Sequence, residues 1–426
     1  MKNFKSHTSI LVLLTLALAV FVSCTQAVND SPTRIDAPSG LFWVETVSQS
    51  EVDAFASSKQ ETVAEITPPD VHEPAEPTRI TFLAAGDNVI HPCIYIDARN
   101  RATAETRQYN FKPMYADVID YITSFDLAFI NQETLMGGDD LGLSGYPQFN
   151  SPQDLGRDLK DIGFDIVNIA HNHMCDKGEK GLLGTIDFFE SEKMSGVTMI
   201  GGYRNEEDFD SIRTVEKNGV TISLLSYTYG TNGISLPSSS ELVVPYINDN
   251  DIIRQCALAE DAGDITVVSI HWGEENVSTP TSEQKRIARL LAENGADVII
   301  GHHPHVLQPI EWIEHEGGST LCIYSLGNLV SAMMYWENMV GGFFSFEIVS
   351  DTNGTVTVEN VKFVPTAFFY GPSYYNSHLY FLKDYPEDVA KNHCTGKKYG
   401  SPATPSDMTS YAKRIMGDYL RLDPDI

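Results

Sequence analysis

Five short apolar runs, Ile80 to Ala85, Leu127 to Ile130, Ile166 to Ala170, Ile265 to Ile270 and Val298 to Ile300, each stop abruptly at a polar cluster. Runs of this length without alternation fit strands buried on both faces. Helical spacing fills the intervals. In "SPQDLGRDLKDIGFD", Ser151 is placed as an N-cap, Pro152 as the first helical residue and Gly163 as a stop. Leu182, Leu183, Ile186 and Phe189 share one face of a second helix; Ile287, Leu290 and Leu291 share a face of a third, which ends at Asn294-Gly295. Buried strands alternating with amphipathic helices predict an α/β or layered αββα domain. After Leu321 the pattern turns to β, with Thr352-Asn353-Gly354 as a hairpin turn. Beyond Thr366 a Tyr-rich stretch and a helix near Ser410 to Leu420 predict a C-terminal extension, residues 367–426. Its Tyr374, Tyr375 and Tyr380 read as packing in the core or between copies, with ligand binding as the alternative.

The N-terminal end has a different composition. Residues 24–77 are rich in Pro, Ser, Thr, Asp and Glu and lack sustained apolar periodicity, which predicts a disordered acidic linker. Ahead of it, Lys2 and Lys5 precede an apolar stretch from Ile10 to Val22, the pattern of a signal peptide over residues 1–23. The stretch is shorter than the roughly 20 residues a spanning helix needs, and Phe21-Val22-Ser23-Cys24 resembles a bacterial lipobox. Cleavage before Cys24 and lipidation of its thiol would tether an extracytoplasmic lipoprotein to the cell membrane. Cleavage after Ala27 would instead release a secreted protein.

Charge narrows the partners. A formal net charge of −29 excludes nucleic acid, whose phosphates demand basic patches. It would also repel an acidic polymer unless a metal or a local basic groove intervened. Besides Cys24, the five cysteines are scattered and form no C-x-x-C, so no disulfide framework is expected.

The polar clusters carry the chemistry. The first run leads to Asp87 and His91, the second to Asn131 and Glu133, the third to His171, Asn172, His173 and Asp176. The fourth leads to His271 with Glu274 or Glu275, and the fifth to His302, His303 and His305. Seven of the twelve histidines lie here. In a sheet of mostly parallel strands the carboxyl ends share one edge, so five such clusters would converge. Imidazole mixed with carboxylate suits Zn, Mn, Fe or Ni better than the all-oxygen shells of Ca or Mg. Cys175, the one cysteine within these clusters, reads as packing rather than chemistry, and with no further thiolate a structural Cys-rich zinc site is disfavoured.

The series "GDNVIH", "NQET", "AHNHMCDKG", "HWGEE", "GADVIIGHHPHVLQPIE" and "YSLGN", over Ile80 to Pro365, resembles the bacterial capsule-biosynthesis protein A family, also called the PGA_cap or poly-γ-glutamate capsule family. The resemblance implies a domain over residues 78–366 with the four-layer αββα sandwich of calcineurin-like metallophosphoesterases and two divalent ions, Mn, Zn or Fe. It implies Asp87, Glu133, Asn172, His271, His303 and His305 as metal ligands, Asp87 also as a catalytic residue, and His173 as the group assisting the departing alkoxide. His91, Asn131, His171, Asp176 and His302 would lie beside them, holding or shielding. Three departures stand out. Val89 occupies the histidine position of the usual Asp-x-His, Glu133 replaces an aspartate, and His171-Asn172-His173 replaces Asn-Asn-His.

Three functions follow as expectations. The first is a surface-anchored component of poly-γ-glutamate or related envelope-polymer synthesis, export or attachment, working with membrane-bound synthase or exporter subunits. The second is a secreted metal-dependent phosphoesterase acting on a cell-envelope or nucleotide substrate. The third is a polymer-binding protein without turnover.

Overall fold

The structure is a computed structural model that describes residues 76–424 except Thr106. The signal peptide, Cys24 and nearly all of the linker lie outside the described residues. Among the described residues fourteen strands form two sheets. Chain order gives β1 Thr78–Asn88, β2 Leu127–Asn131, β3 Ile166–Asn168, β4 Thr198–Ile200, β5 Arg213–Lys217, β6 Val220–Thr228 and β7 Ile265–His271. The rest are β8 Val298–His302, β9 Leu307–His315, β10 Gly318–Leu326, β11 Asn328–Val330, β12 Val340–Ser350, β13 Val356–Phe369 and β14 His378–Phe381. The first sheet runs β14-β13-β12-β1-β2-β3-β4 with β11 paired to β1, and the second runs β5-β6-β7-β8-β10-β9.

Strand periodicity builds the layers. Along β6, Ile222 and Leu224 join the large core shared with β1, β2 and β12, whereas Leu225 and Tyr227 point the other way, towards Ile252, Cys256 and Ile287. Those last residues belong to the helices Asp249–Ala262 and Ser282–Glu293. On the first sheet's side, Leu155, Leu159, Leu182 and Ile186 of the helices Asp154–Ile162 and Gly178–Phe189 join the large core. The result is an α/β fold of two sheets flanked by helices. Among the described residues no helix is long and apolar enough to cross a membrane.

Several expectations are corrected. The five apolar runs are strands, but they divide between two sheets: β1, β2 and β3 lie parallel in the first, β7 and β8 parallel in the second. Convergence of their ends therefore depends on sheet stacking as well as on one sheet's edge. The third strand stops at Asn168 rather than Ala170, because Asn168 turns its side chain back onto the Ala170 backbone N–H. Ser151 is not an N-cap; it is buried, with its hydroxyl 2.7 Å from that of Thr134, and the helix starts at Asp154 after Gln153. Gly163 does end it, at φ 112°. Leu183 is half-buried where full burial was expected, and the C-terminal helix spans Pro405–Met416. β6 and the helix Asp249–Ala262 lie outside the five runs altogether.

Two glycines set how closely the site's strands approach. A Cβ at Gly86 would stand 2.1 Å from the Gly327 carbonyl oxygen, and one at Gly301 would stand 2.1 Å from that of Tyr324. Only hydrogen fits there. The C-terminal segment is built into the same core: β13 continues through residue 366, β14 pairs with it, and Phe368, Leu379, Met408 and Tyr411 are buried.

Candidate metal centre

Parallel pairing brings the first polar group together. Asp87, Asn131 and Asn168 lie in register across β1, β2 and β3. Asn131 donates to Asp87 Oδ1 at 2.8 Å, and Asn168 donates to Asn131 Oδ1 at 2.7 Å. Ser226 of the second sheet then donates to Asn168 Oδ1 at 2.5 Å, so one chain of hydrogen bonds ties the two sheets beneath the site. Asn88 accepts from Tyr115 Oη at 2.8 Å and donates to Gln132 Oε1 at 2.6 Å, fixing the loop that carries Glu133.

The second sheet supplies the imidazoles. His305 Nδ1 lies 3.0 Å from both Asp87 Oδ2 and Asn328 Oδ1, which leaves Nε2 3.4 Å from Glu133 Oε1. A carboxylate orienting one ring nitrogen so that the other can ligate is the usual support of a metal-binding histidine. His271 Nε2 sits 3.2 Å from Asn172 Oδ1 and 3.6 Å from Glu133 Oε1. His303 and His305 both adopt left-handed backbone, at φ 96° and 58°. The loop is held there by Asn276, whose N–H donates to Pro304 O at 2.8 Å, and by Asn338, which donates to His305 O at 3.2 Å.

Glu133 is the anomaly that gives the cluster its meaning. It is fully buried, and neither carboxylate oxygen has a hydrogen-bond partner; His271 Nδ1 and His303 Nδ1 are likewise buried and unpartnered. One ligand atom each from Glu133, His303 and His305 can be chosen so that all lie within 4.8 Å of one another. Burial pushes the Glu133 carboxyl well above its ordinary range, with Asp87 adding to the effect and His305 opposing it. Burial lowers His271 well below 6.5 and, with the charge of His305, takes His303 to about 3. For Asp87, burial acts upward but the imidazoles of His302 and His305 prevail and hold it well below 3.8. A buried carboxylate with no hydrogen bond to either oxygen, beside His271 and His303 whose charged forms burial disfavours, is costly for a protein alone and fits a divalent cation. The donor set thus suits a metal.

His173 stands next to this cluster. Its Nδ1 pairs with Asp176 Oδ2 at 2.7 Å, and its ring lies edge-on to Phe149 with centroids 4.7 Å apart. Asn172 Nδ2 donates to Asn232 Oδ1, and Asn232 Nδ2 reaches His173 Nδ1, both at 3.4 Å. His171 receives the His173 N–H on Nδ1 at 3.1 Å and leaves Nε2 unpartnered. His302 stacks on Phe129 and places Nδ1 3.3 Å from Asp87 Oδ1. His91 turns its Nδ1 to the Val89 carbonyl and the Ala332 N–H, at 3.1 and 3.2 Å, a backbone-anchored position. Contacts tie Asp87, Asn131, Glu133, Asn172, His271, His302, His303 and His305 into one group, with His171, His173 and Asp176 beside it, whereas Glu274 and Glu275 are exposed. The structure adds Asn168, Ser226, Tyr229, Asn232 and Asn328. Asn328 had a signal in "YSLGN"; Tyr229, whose ring stacks on His271 and tilts against His303 at 4.5 Å, had none.

Residues 81–333 match the family described as Bacterial capsule synthesis protein PGA_cap, a span that includes every candidate ligand. The chain belongs to the PGA_cap family. Among curated relatives, it is 36% identical over 182 residues to PGA biosynthesis protein CapA of Bacillus subtilis strain 168, covering 40% of this chain and 44% of that one. To Capsule biosynthesis protein CapA of Bacillus anthracis it is 34% identical over 176 residues, covering 40% and 41%. The alignments therefore span less than half of either relative. Among solved structures, Haemophilus influenzae NAD nucleotidase aligns at TM-score 0.45 and 13% identity over 82% of this chain and 65% of that one. The PGA_cap match ends at residue 333, so Tyr411, which accepts a hydrogen bond from the Leu307 N–H at 3.0 Å, braces the histidine loop from outside it.

Proposed function

We propose that this PGA_cap protein acts in the synthesis, export or attachment of an anionic envelope polymer, poly-γ-glutamate or a related one, through a phosphoesterase-type metal centre. Asp87, Glu133, Asn172, His271, His303 and His305 would hold the metal, with two ions as the fuller reading. The carrying observation is Glu133, buried with both oxygens unpartnered against His303 and His305. When bound, a divalent ion supplies Lewis acidity and a water of lowered pKa. The chain's own residues supply the rest: Asp176 fixes the His173 ring through Nδ1, leaving Nε2 to hand a proton to a departing oxygen. That pair favours turnover over a purely binding role, since binding alone needs no oriented proton donor. Bound cations would also relieve repulsion between a polyanion and a chain of net charge −29.

The same reading places the mature protein outside the cytoplasm, anchored through a lipidated Cys24 and working beside membrane-bound synthase or exporter subunits. A mature chain that stays soluble with Cys24 intact would reject the anchor. For the centre itself, bound metal is measured and phosphomonoester, phosphodiester and poly-γ-glutamate cleavage are assayed. His173→Ala is expected to keep its metal and lose about 10²–10⁴ in kcat. Absence of metal above background after growth with Mn and Zn would sink the reading.

A further inference from the structure

Beside the histidine loop the surface holds two adjoining cavities, of about 280 and 380 Å³, that share Trp336, Tyr411 and Arg414 as a common wall. Val306, the residue after His305, lines the first. The wall is aromatic: Trp336 meets Tyr411 edge-on with centroids 5.5 Å apart, the Arg414 guanidinium lies over the Tyr411 ring at 5.5 Å, and Tyr335 is 54% exposed. Polar groups surround it, with Ser278 in one cavity and Ser410 in the other. Tyr411 and Asn276 also brace the histidine loop, but the Trp336, Tyr335 and Arg414 side chains have no part in the metal centre.

We propose that this groove binds a carbohydrate chain. A sugar ring offers an apolar face of C–H bonds and a rim of hydroxyls, and the groove offers the half-buried Trp336 and exposed Tyr335 rings, backed by buried Tyr411 and bordered by hydroxyl, carboxylate and guanidinium groups. The charges argue against the two nearest alternatives. Arg414 is the lining's one cation in either cavity, set against Glu337 in the first and Asp407 in the second, so a polyanion gains no net attraction. An apolar peptide would bury those same ionised groups without partners. A neutral glycan can hydrogen-bond to them. The proposal is independent of turnover at the metal centre, which the groove adjoins without sharing any candidate ligand.

The test is calorimetric titration of the full chain, with and without chelator, using chitotetraose, maltotetraose and a γ-linked glutamate tetramer. At least one sugar is expected to bind saturably whether or not metal is present. Trp336→Ala should weaken it about tenfold, and Tyr335→Ala should weaken it several-fold. Ile253→Ala, exposed on the helix Asp249–Ala262 and lining neither cavity, should leave it unchanged. Because Trp336 is half-buried, the Tyr335 variant carries the test if Trp336→Ala unfolds. Binding by neither sugar below roughly 10 mM, sugar affinity unmoved by Tyr335→Ala, or a groove-dependent preference for the glutamate tetramer would each overturn the proposal.

Discussion

Glu133 stands where folding alone gains nothing from its charge. With no hydrogen bond to either oxygen, and burial opposing its charge more than His305 offsets, its ionised form disfavours the metal-free fold, so Glu133→Gln is expected to stabilise the chelator-treated protein by roughly 1–3 kcal/mol while abolishing metal binding. Denaturant unfolding with and without metal checks the sign: wild type should overtake the variant only when metal is present. His305 titrates the other way. Against the effect of burial, Glu133 and Asp87 raise its imidazole from 6.5 to about 10. A raised histidine contributes stability that is complete below its unfolded value and lost as pH climbs through its folded one. The metal-free protein should therefore melt at progressively lower temperature from pH 7 to 10, and His305→Gln should flatten that slope. At this scale the histidines and carboxylates were legible because their types gather after apolar runs. Asn168, Ser226 and Asn232 were not, because amides and hydroxyls are ordinary loop and strand-end residues, and their roles arise only when one sheet lies over another.

At the scale of elements, caps and close approaches make separable contributions. Thr281 accepts from the Gln284 N–H while Gln284 reaches back to the Thr281 N–H, a reciprocal cap on the helix Ser282–Glu293. Thr281→Ala should cost about 1 kcal/mol in unfolding and leave metal content unaltered. Gly86→Ala is the contrast: its methyl would collide with Gly327 O next to Asp87, so a loss of roughly 1–3 kcal/mol should come with weakened metal binding, read by the same unfolding and metal assays. Continuous apolar runs made β1, β2, β7 and β8 readable because such strands are covered on both faces. Ser151 misled because an N-cap preference is local, whereas Ser151 is pinned from outside by Thr134 and by its N–H on Leu135 O. Sheet membership was not legible, since nothing in a strand's own residues says which of two sheets it joins.

For the whole molecule, the C-terminal residues decide integrity. A chain cut after Thr366 would lose Phe368, Leu379, Met408 and Tyr411 from the core, together with the hydroxyl that receives the Leu307 N–H. Such a truncation is expected to be insoluble or to lack a cooperative unfolding transition, as circular dichroism would show. The layered α/β class was readable from alternating strands and helices; the contribution of residues 367–426 was not, because a Tyr-rich stretch gives the same pattern whether it packs outside a domain or within it. The placement of β1 also bears on timing. The strand carrying Asp87 is flanked by β12, and the loop bearing His303 and His305 is braced by Tyr411. Synthesis delivers the first ligand hundreds of residues before its neighbour strand and its brace. All six candidate ligands are thus in place along the chain before the helix that holds the histidine loop, and the brace is the last part of the site to be made.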